Sequence, residues 1–495
     1  MMSNPYAAET ASPPDPRRWL SLAILLIANF MNLIDVTIVN VALPSMRENL
    51  GATDSQIEWV VAAYVLAFAL GLLPFGRLGD IVGRTKMFLW GVAAFTAASA
   101  LCGLAHNIEM LIFARVLQGI GGAMMTPQVL AIATVTFPPY ERGQAFSLFG
   151  LSAGLASVCG PILGGILIDA QLFGMDWQPI FLVNIPIGLA AIVAGWKLIP
   201  RLPGHKELSN DYVGIVLFGL GIVSLVFPII EGRAFDWPAW SFAMMAAGVV
   251  LLVAFYFWQQ RRAGAGQPQL LNYDLLRNRD YMFGAFVITV FASGIPGMFM
   301  VISLLLQSGF GYTPLQSGLA NTPFSVGVLI ASFIAGRFGS HYLRSRLAAA
   351  GALLAGGILW LHFIFAGAGD TIDAMTFLPA LVVAGVGLGT GFSSLFQLVL
   401  RNVPPRDAGA GSGALQAFQQ VGGGLGIALV GQIFFSQLAG NFASGSGPQA
   451  AFSNAAALAL WYQVISFGLV LAMAFMFKPS GRQPHGQGAP VVVEA

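Results

Sequence analysis

The feature that most restricts this chain is a recurrence. Apolar stretches of about 20 residues, the length a helix needs to cross a hydrocarbon core, follow one another from Trp19 to Phe477. Read between charged or turn-rich punctuation, they fall near residues 19–43, 57–76, 86–105, 108–134, 145–168, 180–199, 211–230, 239–258, 282–307, 317–338, 346–366, 375–400, 410–437 and 451–477, fourteen in all. In a bilayer the backbone must satisfy its own hydrogen bonds, so runs of this length are expected as helices. Composition agrees: of 495 residues 57% are hydrophobic and 9% charged, and mean hydropathy is +0.76. Soluble domains carry roughly 25% charged residues, so a soluble globular protein is excluded.

Basic residues are retained on the cytoplasmic side of spanning segments. With the N-terminus inside, 20 of the 23 Lys and Arg residues fall on that side, leaving Arg47 and Arg233 outside and Arg115 within a span. One missed helix would scramble this division in the second half. The expectation is therefore fourteen spans in the cell inner membrane, with both termini cytoplasmic. The net charge of +2 gives no attraction to nucleic acid, and the bilayer is the expected partner. Met1 to Arg18 lacks the short apolar core of a secretory signal, so the first span is expected to be retained. Cys102 and Cys159 lie inside apolar segments without metal-ligand spacing and read as packing residues, with no metal and no disulfide. No Asn-x-Ser/Thr acceptor occurs, in keeping with a bacterial inner membrane.

The two halves echo each other. Gly76-Arg-Leu-Gly-Asp80-Ile-Val-Gly83-Arg84 recurs as Gly336-Arg-Phe-Gly-Ser340-His-Tyr-Leu343-Arg344, and Gly51, Thr53 and Gln56 recur as Gly311, Thr313 and Gln316, all at a shift of 260. Pro138-Pro-Tyr-Glu141-Arg-Gly143 recurs as Pro404-Pro-Arg-Asp407-Ala-Gly409 at a shift of 266, which also carries Gly160 onto Gly426. The duplication divides the chain into a cytoplasmic tail (1–18), a six-helix bundle (19–200), a linker region with helices 7 and 8 (201–281), a second six-helix bundle (282–477) and a C-terminal tail (478–495). Parallel repeats with a site at their interface are a transporter architecture in which one bundle rocks against the other.

Four motifs carry a resemblance to the fourteen-spanner drug/proton antiporters of the major facilitator superfamily, the EmrB/QacA-like group. They are Leu33-Ile-Asp35-Val-Thr37-Ile-Val-Asn40-Val-Ala-Leu-Pro44, the loop from Gly76 to Lys86, Arg115-Val-Leu-Gln118-Gly119-Ile-Gly121-Gly122, and Gly150 and Gly154 with Gly160-Pro161-Ile-Leu-Gly164-Gly165. The resemblance implies an all-α polytopic membrane protein with the major facilitator fold, two six-helix bundles and two bridging helices. It implies a conformational latch at Gly76, Asp80, Gly83 and Arg84, a proton-linked motif at Arg115, and an antiporter motif in helix 5. Three departures stand out: Trp177-Gln178-Pro179 replaces a Trp-Arg-Trp, Ser340 replaces an acid, and no span of the second half holds a deep carboxylate. The last speaks against dicationic substrates.

The same residues can be read physically. Asp35 and Arg115 are the ionisable groups set well inside spans, where a charge costs roughly 2.5–3.5 kcal/mol at a helix centre and needs a partner or a function. Asp35 precedes Leu43 by eight residues, about 12 Å, and Arg115 lies about 10 Å below the same surface, so the two can face one another. Burial and a guanidinium act on a carboxylate in opposite senses, which suits a proton carrier at Asp35 tuned by Arg115. A static ion pair between helices 1 and 4 is the other reading, with Thr37 and Asn40 as alternative hydrogen-bond partners of Asp35. Asp80 reads as a latch placed near a helix N-terminus with Arg77, Arg84 and Arg142 nearby, or as a plain loop salt bridge. Gly150/Gly154 and Gly160/Gly164 read as close helix contacts, interrupted by Pro161.

A substrate cavity is expected between the halves, with Asn40, Tyr64, Gln118, Gln397, Gln419 and Gln420 as candidate lining, and Phe and Met as an adaptable apolar wall. His362 reads as structural. No HExxH, GxSxG or P-loop occurs, so neither an enzyme nor a nucleotide-driven pump is expected and no cofactor is needed. A 100 mV potential supplies roughly 2.3 kcal/mol per charge, so a proton gradient can drive export of amphipathic, drug-like small molecules. Two other readings stay open: a narrow exporter of one endogenous metabolite or natural product, and a membrane sensor or enzyme. The chain reads as a monomer, and the sequence leaves room for a periplasmic adaptor.

Overall fold

The computed structural model describes residues 16–204, 210–338, 342–401, 403 and 408–477, and every regular element among them is helical. The first group comprises α1 (Arg18–Leu50), α2 (Asp54–Val82), α3 (Arg84–Gly103), α4 (Ile108–Thr136), α5 (Pro139–Asp169), the short α6 (Pro179–Leu182) and α7 (Asn184–Leu198). A hairpin of α8 (Tyr212–Glu231) and α9 (Ala239–Gly264) follows. The second group comprises α10 (Tyr273–Arg277), α11 (Arg279–Ser293), α12 (Pro296–Leu304) with a π-helical turn at Leu305–Gly309, α13 (Pro314–Phe338), α14 (Leu343–Ala366), α15 (Ala374–Leu400), α16 (Ala408–Ala443) and α17 (Pro448–Ala474). Among the described residues, twelve helical stretches are long and apolar enough to cross a membrane.

Each group packs mainly on itself: α1 on α5, α2 and α3 on α4, then α13 and α14 on α15 and α11 on α16. The groups meet along two seams, α5 against α13 and α2 against α16, and α8 leans on the second. These seams are equivalent under the duplication, because α2 corresponds to α13 and α5 to α16. Local structure repeats with them. Gly51 and Gly311 both take left-handed backbone, at φ +60° and +70°, where a side chain would be strained. Each is followed by a reciprocal capping box that starts the next helix. Thr53 N donates to Gln56 Oε1 at 2.9 Å and Gln56 N to Thr53 Oγ1 at 3.4 Å; Thr313 and Gln316 do the same at 3.0 and 3.2 Å.

Hydrogen bonds sort the helix ends into two sets. At the near end, which holds the start of α1, Arg18 pairs with Glu141 at 2.7 Å and Ser21 donates to Leu198 O. At the far end Asn49 meets Asp176, Gln56 meets Glu109 and Trp59 donates to Glu231 at 2.8 Å. In the hairpin, Asp211 caps α8 and accepts from Trp258 at 2.9 Å and Gln259 at 2.7 Å of α9.

Several boundaries differ from the sequence reading. The first helix continues through Pro44 to Leu50, so Asp35 lies deeper than the expected end at residue 43 implies. The stretch Gly76–Val82, expected as loop, completes α2, and only Gly83, at φ +109°, breaks the chain before α3. A Cβ on Gly79 would meet the amide end of the Gln128 side chain, which would have to move and give up its bond to Phe75 O. Asp80 consequently sits in the last turn of α2, a helix C-terminus rather than the expected N-terminus. The span expected at 282–307 is divided at Gly294–Ile295, with Pro296 opening the new segment.

Candidate functional site

Asp35 and Arg115 do meet. Both are buried, at 0 and 1% exposure, and Arg115 Nη1 donates to Asp35 Oδ2 at 2.6 Å. Gln118, one turn along α4, donates to the other oxygen, Asp35 Oδ1, at 2.7 Å and to Ser99 Oγ at 2.8 Å, while its carbonyl accepts from Arg115 Nη1 at 2.6 Å. Arg115 Nε donates to Val60 O at 3.0 Å, and its guanidinium carbon lies 4.2 Å from the Tyr64 ring centroid and 5.7 Å from that of Phe181. Asn184 Nδ2 reaches Ser99 Oγ at 3.3 Å, and Tyr64 Oη donates to Asn32 Oδ1. Five elements thus contribute to one closed polar cluster, in which both carboxylate oxygens of Asp35 are occupied.

This geometry corrects the alternative partners. Thr37 donates to its own helix at Ile34 O (2.9 Å), and Asn40 Nδ2 donates to Val36 O (3.1 Å), so neither reaches Asp35. Gln118 and Tyr64, expected on a cavity wall, are drawn into the cluster and buried. Asn40 is also buried, and its Oδ1 has no hydrogen-bond partner. Gln419 and Gln420 are half-buried on α16, whereas Gln397 is exposed. His362 is tied to Ala457 O at 2.8 Å and packs on Trp461, in line with a structural role. Sequence reasoning did not single out Asn32, Ser99 or Asn184 for this cluster. Asn32 carried a usable signal, since it precedes Asp35 by three residues and so shares its helix face.

The helix 5 motif serves two neighbours. A Cβ on Gly160 would strike Thr37, and one on Gly164 would lie 2.9 Å from Ile38 Cγ1, so these glycines bring α5 onto α1. Gly165 faces the opposite way, against the backbone of Leu315, while Gly318 of α13 closes on the backbone of Pro161. The motif is therefore both an internal contact and a seam between the groups. Gly150 and Gly154 lie in α5, but their surroundings fall outside the described side chains, as does that of Arg142. At the near end Arg84 pairs with Asp80 at 2.9 Å across the Gly83 break, and a Cβ on Gly76 would lie 3.6 Å from Pro127 Cβ. Ser340 lies outside the described residues.

The far end is closed between the groups. Gln307, in the π-helical turn, donates to Val41 O of α1 at 2.9 Å. A shallow hollow of about 420 Å³ at this end is lined from both groups by Pro44, Arg47, Ser308, Leu438 and Phe452 among others. A second hollow of about 400 Å³, between α1 and α7, is lined by Ile24, Ile27, Ile187 and neighbouring apolar residues. Neither is lined by Asp35. No group of three or more His, Cys, Asp or Glu able to hold a metal occurs among the described residues.

Two duplicated helical groups meeting at glycine-lined seams, the first with a buried ion pair inside it, match the repeat architecture of polytopic membrane transporters. Comparison with known proteins makes the class specific. The Major Facilitator Superfamily profile matches residues 25–214 and 209–427, and the chain belongs to that superfamily. It is 40% identical over 435 residues to the "Probable actinorhodin transporter" of Streptomyces coelicolor, covering 88% of this chain and 75% of the relative. The "Tetracenomycin C resistance and export protein" of Streptomyces glaucescens is 30% identical over 425 residues (85 and 77% covered). The "Puromycin resistance protein pur8" of Streptomyces alboniger is 32% identical over 436 residues (87 and 84%). Among solved structures, an auto-inhibited POT family peptide transporter superposes with a TM-score of 0.68 at 15% identity, covering 94% of this chain and 99% of its own. A bacterial homologue of the lysosomal transporter Spinster gives 0.64 at 16% identity, with 94 and 97% covered. At such identities the structures speak for the fold alone.

Proposed function

We propose that this protein is a proton-coupled antiporter that exports amphipathic organic compounds by alternating access, and that it belongs with the fourteen-spanner EmrB/QacA-like group. The observation that carries this reading is the buried Asp35–Arg115–Gln118 cluster. A proton on Asp35 replaces its bond from Arg115, yet Arg115 retains Val60 O, Gln118 Oε1 and the Tyr64 face. The exchange leaves Arg115 hydrogen-bonded but without its counter-charge, a cost that favours a change of conformation when Asp35 is protonated. In a complete cycle Asp35 takes a proton, substrate leaves on the far side, and deprotonation toward the near side restores the ion pair.

The count of fourteen spans follows if α5 and α13, of 31 and 25 residues, cross the bilayer with the twelve stretches above. The near end, with both termini, is then cytoplasmic, and the two bundles are residues 19–200 and 282–477. The closed far end corresponds to an inward-facing state, and Asp80 with Arg84 forms the near-side latch. Substrate enters between the halves, where Asn40 offers a buried acceptor without a partner and Gln419 and Gln420 line α16. The energy source is the proton gradient, with no cofactor and no catalytic residue, and a monomer carries the whole site.

A narrow specificity is the second reading. It is favoured by relatives whose names point to single compounds, actinorhodin, tetracenomycin C and puromycin. Drug accumulation in an efflux-deficient bacterial host separates the two. A panel of aromatic quinones, puromycin and lipophilic cations should show lowered accumulation of several compounds, reversed by an uncoupler. Lowered accumulation of a single compound supports the narrow reading, and no change for any compound counts against export.

A further inference from the structure

Two carboxamides, one from each group, are pinned in the same way. Asn40 Nδ2 donates to Val36 O at 3.1 Å and Asn321 Nδ2 to Ser317 O at 3.1 Å, each one turn back along its own helix. Each amide nitrogen is engaged by the backbone, which leaves the Oδ1 turned away from it. Both oxygens, and the Oγ of Ser317, lack a hydrogen-bond partner among the described residues, although Asn40, Ser317 and Asn321 are only 9, 0 and 5% exposed. Buried polar side-chain atoms are in the large majority paired, so three orphans call for a partner from outside the chain. Packing does not require polar groups here: at the shift of 260, Ser317 and Asn321 correspond to Ile57 and Val61, which are buried and apolar.

Helix α5 sets the three at a common level. Gly160 and Gly164 face Thr37 and Ile38 of α1, while Gly165 meets Leu315 and Pro161 meets Gly318 of α13, so residues 37–41 and 315–318 flank the same part of α5. Helix α1 also touches α13 directly. Asn40 and Ser317 lie within those two stretches, and Asn321 is one turn, about 6 Å, further from the far end. On α13, Leu319, Val326 and Ile330 are exposed and mark the outer face; at about 100° per residue, Ser317 and Asn321 fall on the opposite, inner face. One residue beyond Asn40, Val41 O accepts from Gln307, which closes the far side.

Carboxamide oxygens accept and do not donate. From Gln144 to Ile168 in α5, and from Pro296 to Gly336 across α12 and α13, the chain has no charged residue, and Asp35 is held by Arg115, so a cation would lack a counter-charge. Phe324, three residues after Asn321, packs edge-on with Phe299 of α12 at 5.0 Å and adds an aromatic surface. We propose that Asn40, Ser317 and Asn321 are the polar head of the substrate site, and that it takes a neutral aromatic hydroxyl compound whose O–H groups donate to the two carboxamide oxygens and so bridge the halves. This substrate class rests on the export reading above.

Equilibrium binding to full-length protein in nanodiscs, by isothermal titration calorimetry with empty nanodiscs subtracted, tests it with 2,7-dihydroxynaphthalene, its dimethyl ether and tetraphenylphosphonium. The wild type should bind the dihydroxy compound at least about tenfold more tightly than the ether. Asn40→Leu and Asn321→Leu should each weaken the dihydroxy compound about tenfold and leave the ether unchanged, which also shows that the variants are folded. Ser317→Ala, the loss of one atom, should weaken it about threefold. Equal binding of the dihydroxy compound and its ether by the wild type, or a preference that survives both Asn variants, overturns the site. Tightest binding of tetraphenylphosphonium, or binding of none of the three, overturns the substrate class. Export is read separately, from accumulation of the panel above: lowered accumulation of any compound leaves export in place when the site fails, and unchanged accumulation of every compound overturns export itself.

Discussion

Asp35 and Arg115 are each close to intolerable alone and compatible together, and that asymmetry governs what substitution does. Removing one member of a buried pair leaves an uncompensated charge, at about 3–5 kcal/mol. Arg115→Ala should therefore lower thermal stability in detergent severely, and adding Asp35→Asn should recover part of the loss; an additive double variant would contradict the direct coupling seen at 2.6 Å. Gln118→Leu removes the donor to Asp35 Oδ1 and strands buried acceptors, which costs about 1–3 kcal/mol. It should move the pH dependence of transport as well as the melting temperature, whereas a residue that merely lined the substrate path would alter apparent affinity and leave the pH profile in place. The pairing was legible in the sequence because two helices of opposite direction put both charges at similar depth. The role of Gln118 was not, because a polar residue inside a span gives no sign of whether it faces a ligand or a neighbouring helix.

At the scale of elements, glycine decides where helices touch. Gly165 meets the Leu315 backbone, so Gly165→Val should hold the α5–α13 seam apart and abolish transport while the protein still reaches the membrane. Export activity at matched expression checks this, and normal export would show that the seam does not need to close. The capping boxes make a quieter prediction. Thr53→Ala and Thr313→Ala should each cost about 1 kcal/mol, with equal effects because the two turns share one geometry. Element limits were less legible than contacts. Gly76, Gly79 and Asp80 look like loop punctuation in a sequence, yet they continue α2, with Gly79 packed against the Gln128 side chain and the break postponed to Gly83.

The whole molecule is a duplication used asymmetrically. The repeat could be read from Gly51/Gly311 and Gly76/Gly336, and it explains why two seams, α5–α13 and α2–α16, join the halves. Its departures were harder to see. Glu58, the second residue of the span expected at 57–76, was not singled out from the sequence, and its close approach to Gly431 places it between the halves. The proposed cycle assigns the proton to Asp35, the carboxylate paired with Arg115 inside the first half. The measurement that tests this most directly is dissipation of an imposed pH gradient in everted membrane vesicles on addition of a transported compound, comparing wild type with Asp35→Asn at matched expression. Substrate-dependent proton flux in the wild type, absent from a variant that still binds the compound, is the predicted result. Undiminished flux in Asp35→Asn would contradict the account.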